Sequence, residues 1–454
     1  MRHVERRRSA RTIPRTRAVA AGALLSVLAA IPATAQTGEP GAASAARLGD
    51  LYAQVRRDNP KLVAARALAR ASETRVSGAS RPPDPLLQLG FMNYAVPNLA
   101  PMPVIGMAQL QVMQMLPLGG KLALAGRAAG AEAAAAGART DDLSWELRDE
   151  TAMAFYDLYA ADGQLGVARE MLRQLADIAT TAETMYRLGD GRQADVLRAQ
   201  VEVAKMAQDT LRMQAMRQTM AARLNALLDR ASEAAFAAAI LPAFPDSIPA
   251  RAWIDSVARD ERPLVRAGLD ELRGAEISQA RARKEIWPDL QVGVQYGQRG
   301  GEAGSTERMG SVMFGASIPV FARDRQLRAR DEAGAMTQVA RADLAAVRAD
   351  TRGKIGEAYA NLTRARSLAQ VYRTTVLPQA EATAASALAA YRVGTVDFMT
   401  LLDARMSVNT YRRELFVLQA DQGKAWADLE MLIGRELFDP NRTVATTTTM
   451  RGAQ

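Results

Sequence analysis

Few side chains in this 454-residue sequence are equipped for covalent or metal chemistry. Cysteine is absent, and the one histidine, His3, lies in an arginine-rich leader, so thiol nucleophiles, imidazole bases and zinc ligands are missing from the rest of the chain. The Gly-Gly-Lys run at 119–121 has the residue types of a phosphate loop without its spacing. Met115 stands where the earlier glycine belongs, and Leu122 replaces the hydroxyl that would meet Mg2+. Met206, Met213 and Met220 carry thioethers that a soft metal accepts. Their spacing of seven sets them about 10 Å apart on one helical seam, too far to share an ion and right for packing. The residues therefore read as a non-enzyme, with no catalytic set, no cofactor and no metal site. What remains is a pair of related segments, YRLGDGRQADVLRAQ from Tyr186 and YRVGTVDFMTLLDAR from Tyr391, each an aromatic, a glycine turn and a carboxylate ahead of an apolar run.

Those two segments belong to a duplication of the whole chain at an offset of 203 to 205 residues. NPKL at 59–62 answers RPLV at 262–265, LQLG at 87–90 answers LQVG at 290–293, and AFYDL at 154–158 answers EAYANL at 357–362. A period this long is no solenoid repeat, so each copy is a unit of several elements. From Pro117 to Pro242 there is no proline and the composition is rich in strong helix formers. Broken only by the glycines at 189–191, this stretch predicts a helix of about 68 residues and a partner of about 38.

Leu147, Thr151, Ala154, Leu158, Ala161, Leu165, Ala168, Leu172, Leu175, Ala179, Ala182 and Tyr186 alternate spacings of four and three, the seam of a coiled coil. The partner helix carries Val196, Ala199, Val203, Met206, Thr210, Met213, Met220, Leu224 and Leu227 on the same spacing, with Arg217 the one misfit. The second repeat predicts helices from about 323 to 392, bent at Pro378, and from 398 to 434.

Ahead of each long helix the period changes to two. Leu290, Val292, Val294 and Tyr296 alternate with Gln291, Gly293 and Gln295, and Val312, Phe314, Ala316 and Ile318 follow the same pattern. The first repeat answers with Leu87, Leu89 and Phe91, and with Leu110 and Val112 opposite Gln109 and Gln111. A soluble sheet would alternate in the same way. Strands of about nine residues, an inner face of Gln, Ser and Gly without charge, and an export leader favour a membrane barrel. Four strands cannot close a barrel, so two, three or four copies would have to supply 8, 12 or 16.

The leader consists of seven arginines and one glutamate in the first 35 residues, an apolar run at 18–31 and Ala33-Thr34-Ala35 before Gln36, the form of a cleaved signal peptide. It supplies most of the formal net charge of +9, so the remainder carries little basic excess and gives no reason to expect nucleic acid. The apolar run is shorter than the ~20 residues of a spanning helix, and no later run reaches that length. Without a cysteine after the leader, lipid anchoring through a thioether is excluded.

The order helix, strand hairpin, long helix, glycine turn, helix, run twice over about 48–437, resembles the TolC family of outer-membrane efflux and export ducts. The specific features are the Tyr-x-x-Gly turns followed by an aspartate and apolar residues at 186–196 and 391–403, Pro117 with Gly120 and Lys121, and VLPQAE at 376–381. The resemblance implies a mainly α protein with a membrane β-barrel. Its two tandem repeats, each a strand hairpin plus a long coiled-coil helix hairpin, would assemble as a homotrimer with a 12-stranded barrel and a periplasmic α-helical tunnel.

It further implies a periplasmic adaptor (membrane fusion) protein and an inner-membrane transporter of RND, ABC or MFS type as partners, with outer-membrane lipid around the barrel. Gly189, Gly191, Gly394 and Thr395 map onto the adaptor-docking tips. Asp195, Asp403, Tyr391 and Thr400 map onto the narrow aperture, with the two aspartates at matching positions and Tyr391 on the tyrosine that helps hold the inner hairpin closed. The alternative for both aspartates, solvated carboxylates favoured by the helix dipole, stays open.

The expected division is a signal peptide at 1–35, a first efflux repeat at 36–230, an equatorial linker at 231–262, a second repeat at 263–437 and a flexible tail at 438–454. The rival from another class is a soluble periplasmic coiled-coil adaptor or strut. It would need its strand faces covered by its own chain.

Overall fold

With no proline to interrupt it, the segment after Pro117 forms α3 (Lys121–Leu188), 68 residues and about 100 Å long. Glycines in left-handed conformation bound it at both ends, Gly120 at φ 77° and Gly189 at φ 86°. The structure, a computed structural model, describes residues 46–92, 94–95, 100–101, 107–300 and 306–442, and the signal peptide read at 1–35 lies outside them.

The first repeat comprises α1 (Leu48–Asp58), α2 (Pro60–Ala79), β1 (Leu86–Met92), the two-residue β2 (Tyr94–Ala95) and β3 (Ala100–Pro101), β4 (Met107–Leu116), α3 and α4 (Gln193–Leu227). The second comprises α5 (Arg251–Glu261), α6 (Pro263–Lys284), β5 (Leu290–Gly300), β6 (Thr306–Ala316), α7 (Gln326–Val371), α8 (Leu377–Arg392) and α9 (Phe398–Ile433). Helix α5 falls in the segment read as linker and stands to α6 as α1 stands to α2. In each pair a residue before proline ends the short helix and the proline opens the next one. Between α7 and α8 a π-turn at Tyr372–Val376 carries the chain past Pro378, and the Leu377 N–H reaches back to the Tyr372 carbonyl.

The four long strands form one antiparallel sheet in the order β1-β4-β5-β6, and β2 pairs with β3 apart from it. Its register carries the alternation across all four strands. Leu87, Val112, Val294 and Val312 form one row, and Gln88, Gln111, Gln295 and Ser311 form the next on the opposite face. The Gln295 amide donates to Gln109 Oε1 on that polar face. The apolar face is open, with Leu89 71% and Phe314 81% exposed. Among the described residues, strands β1 and β6 each have one neighbour. The helices continue the same order, α2 beside α3, α3 beside α6 and α6 beside α7.

Beyond these four, α4 pairs with α3, α8 with α9, and α3 with α9. The predicted seam is buried at Leu147, Thr151, Ala154, Leu158, Ala161, Leu165, Ala168, Leu175 and Ala182, while Tyr186 emerges at the turn. Met206 and Met213 pack in the apolar cluster between α3, α4, α8 and α9. The misfit Arg217 pairs with Asp162 of α3 and donates to the Phe236 carbonyl at 3.2 Å, fastening the hairpin to the following segment. The repeats interlock through reciprocal glycines. A Cβ on Gly163 would stand 2.2 Å from the Phe416 ring, and one on Gly423 would stand 2.3 Å from the Tyr156 ring.

A belt gathers around the helix middles. Ala46 bridges to Ala239, the Ala243 N–H reaches the Arg442 carbonyl at 2.6 Å, and the rings of Tyr156, Phe244, Phe438 and Trp426 follow one another at 5.8 to 6.2 Å. Residues 438–442, placed by the sequence in the flexible tail, are held there because the buried Glu430 carboxylate accepts from the Leu437 and Phe438 N–H groups. Arg148 joins the same carboxylate at 3.2 Å and Glu436 at 2.7 Å.

Nearby, burial and then the charge of Asp428 push the Asp149 carboxyl up to about 8. Between about pH 4 and pH 8 the folded chain therefore holds a proton that the unfolded chain releases, and stability falls as pH rises through that window. Asp149→Asn is expected to raise stability by on the order of 5 kcal/mol at pH 8 and by almost nothing near pH 4, read from unfolding midpoints across pH. A constant offset at all pH values would contradict this.

Candidate functional site

The two hairpin tips are built alike. After α3, the Gly189 N–H bonds the Tyr186 carbonyl at 3.1 Å and the Asp190 N–H bonds the Met185 carbonyl at 2.9 Å. After α8, the Gly394 N–H bonds the Tyr391 carbonyl and the Thr395 N–H bonds the Ala390 carbonyl, both at 3.0 Å. This is the same left-handed helix stop 205 residues on, with Gly394 at φ 74°. The Thr395 hydroxyl adds a second bond to the Ala390 carbonyl at 2.9 Å. Gly191 is required for a different reason, because a Cβ there would stand 2.9 Å from the Tyr186 nitrogen. Leu188 and Val393, one before each glycine, are 73% exposed, so each tip presents an apolar side chain to its surroundings.

Just inside the tips the two repeats meet. Tyr391 is buried, its ring edge-on to Phe398 at 6.0 Å, within the cluster that includes Leu175, Ala199 and Leu401. Burial first, and then the nearby charge of Asp195, raise its phenol above the ordinary value. The structure thus brings Asp195 of the first repeat to Tyr391 of the second, and Asp195 itself is half-buried in the first turn of α4.

Thr400 has other work. Its N–H donates to the Asp397 carboxylate at 3.0 Å and its hydroxyl donates to the same oxygen, which holds the Asp397 carboxyl below the usual range and caps α9. Counted from the helix starts at Gln193 and Phe398, Asp195 is the third residue and so is Thr400, whereas Asp403 is the sixth. The equivalence expected between Asp195 and Asp403 is therefore one helical turn out, because the match by residue type overrode the helix register. Asp403 is exposed and makes no ion pair among the described residues.

Sequence reasoning missed the fastening above this site. Arg412 of α9 bonds Glu170 of α3 at 3.0 Å and Glu381 of α8 at 2.6 Å, tying three helices through one guanidinium. No spacing rule joins residues 242 apart, so the sequence held no signal for it. Lys121, dismissed as part of a failed phosphate loop, is buried and donates at 2.8 Å to both the Trp287 carbonyl and Asp289. It locks the start of α3 to the junction between α6 and β5. Among the described residues no group of acidic or histidine side chains is placed to hold a metal ion, and no helix is long and apolar enough to cross a membrane.

Set beside solved structures, the chain is similar to the outer-membrane channel OprN, with 21% identity over 85% of this chain and 89% of that one and a TM-score of 0.68. It is similar to the outer membrane protein VceC of Vibrio cholerae, with 18% identity over 86% and 96% and a TM-score of 0.73. It is similar also to the open state of the Neisseria gonorrhoeae MtrE outer membrane channel, with 17% identity over 86% and 89% and a TM-score of 0.72. No curated protein matches it. The family model described as outer membrane efflux protein matches residues 51–230 and 255–435, once on each repeat. The chain belongs to the outer membrane efflux protein family.

Proposed function

We propose that three copies of this chain close into one exit duct, which receives cargo from an inner-membrane pump through a periplasmic adaptor and releases it outside the cell. The observation that carries this reading is the four-stranded sheet, open at both edges and apolar over the middle of one face, running directly into a helix array of the same order. In lipid the unpaired edges of β1 and β6 would cost several kcal/mol per group, so strands from other copies must meet them. Eight strands leave little or no channel, and twelve leave a water-filled one. The soluble-strut reading would need Leu87, Leu89, Val312 and Phe314 covered by the chain itself, and they are exposed. Cross-linking in intact outer membrane is expected to yield trimers; monomers alone would contradict the reading.

In this reading the helix tips at Gly189, Gly191, Gly394 and Thr395 meet the adaptor, with Leu188 and Val393 as their apolar contacts. The aperture lies just inside, at Asp195, Tyr391 and Asp403, with Thr400 keeping α9 capped. Repeated in three copies, the carboxylates would attract cations into the passage. The double change Asp195→Asn with Asp403→Asn is expected to lower the preference for cations in planar bilayers and to weaken block by divalent ions, each by roughly several-fold. Unchanged selectivity and divalent sensitivity would return both aspartates to ordinary helix-start carboxylates.

A further inference from the structure

The internal repeat places inside one copy a seam that the assembly must form again between copies. Within the chain, β4 pairs with β5 and α3 lies beside α6. One repeat further on, the same elements are β6 and α7 of one copy with β1 and α2 of the next. At the internal seam Lys121 is buried against Trp287, Asp289 and Glu285, with its Nζ 2.8 Å from Asp289 Oδ1 and 3.7 Å from Glu285 Oε2. Gly119, at φ 73°, lies against the indole of Trp287, where even a Cβ would be in ordinary contact at 3.5 Å.

The two free junctions carry the counterparts. Trp287-Pro288-Asp289 is answered by Pro82-Pro83-Asp84, and Asp84 is exposed and makes no ion pair among the described residues. LPLGGK at 116–121 is answered by IPVFARDR at 318–325. Counted from the proline, Phe321 takes the place of Gly119 and Arg323 that of Lys121; counted from the helix start, Gln326 takes that place and Arg325 directly precedes it. Both arginines are exposed and neither makes an ion pair among the described residues. The sizes are exchanged as well: a large ring faces glycine inside the chain, whereas at the free seam the ring is Phe321, 69% exposed, and the facing residue is Pro82. Further along α7, Met336 is 57% exposed at the place where α3 has Ala131, which is buried and packs toward Gly274 of α6.

We propose that Asp84 of one copy pairs with Arg323 and Arg325 of the next, with Phe321 seated against Pro82, repeating between copies the clasp that Lys121 makes within each. The clasp rests on the trimeric reading and names the residues that hold neighbouring copies where barrel passes into helices.

The chain has no cysteine, so Asp84→Cys combined with Arg323→Cys or with Arg325→Cys introduces the only thiols. In isolated outer membranes a short bismaleimide is expected to give covalent trimers with at least one of the two pairs and with none of the three single variants. In parallel, Asp84→Arg alone, or Arg323→Asp with Arg325→Asp, should lose the gel-stable trimer at temperatures where the unaltered protein keeps it. Combining all three changes should restore it. A trimeric unaltered protein with cross-linking in neither pair and no restoration would overturn the clasp and leave the duct standing. A monomeric unaltered protein would overturn both.

Discussion

Phe314→Arg or Val292→Arg is expected to keep the protein out of the outer membrane, whereas Gln291→Arg, one residue from Val292 on the same strand, should assemble. Val292 pairs with Phe314 across β5 and β6 on the apolar face, and Gln291 lies on the polar face opposite Gly315. An arginine facing hydrocarbon near the midplane costs about 2 to 4 kcal/mol, and three copies would place three such charges in one barrel. The readout is the fraction of heat-modifiable trimer in the outer-membrane fraction. Equal loss from all three substitutions would show that the facing is wrong.

Gly394→Pro should abolish export while leaving trimer formation and barrel insertion largely intact. Gly394 sits at φ 74° and its N–H bonds the Tyr391 carbonyl. Proline is fixed near −65° and has no N–H, so the stop between α8 and α9 cannot form, at about 3 kcal/mol or more. Gly394→Ala places a Cβ in open space and meets only the backbone penalty, about 1 kcal/mol, so it should retain most export. Cell survival under an exported compound, compared with trimer yield on gels, separates a tip defect from an assembly defect. Loss of the trimer together with export would contradict the assignment of the tip.

The parts of the fold governed by local rules were legible. The glycines at 119–120 and 189–191 bound α3 to within a residue, and alternation identified all four long strands with their facing, since a slip of one residue would turn every side chain over. Pairings between distant segments were not legible. Nothing local says that β4 pairs with β5 and so joins the repeats in one sheet, or that Arg412 meets Glu170.

Arg217 is an intermediate case, because its break in the heptad marked it as special while its partner Asp162 came only from the packing. Helix α5 was hidden by its 11-residue length inside a proline-flanked linker. Of the residues proposed for the aperture, Tyr391 and Asp195 were chosen by motif and the fold brings them together. Asp403 was matched by residue type, and the helix register gives that place to Thr400.

Electron cryomicroscopy of the protein extracted from outer membranes tests the duct most directly. The expected particle has threefold symmetry, with twelve strands in one barrel and a continuous passage running from the barrel between the long helices. A monomer with its apolar sheet face covered by its own chain, or a threefold particle with no passage through it, would contradict the account.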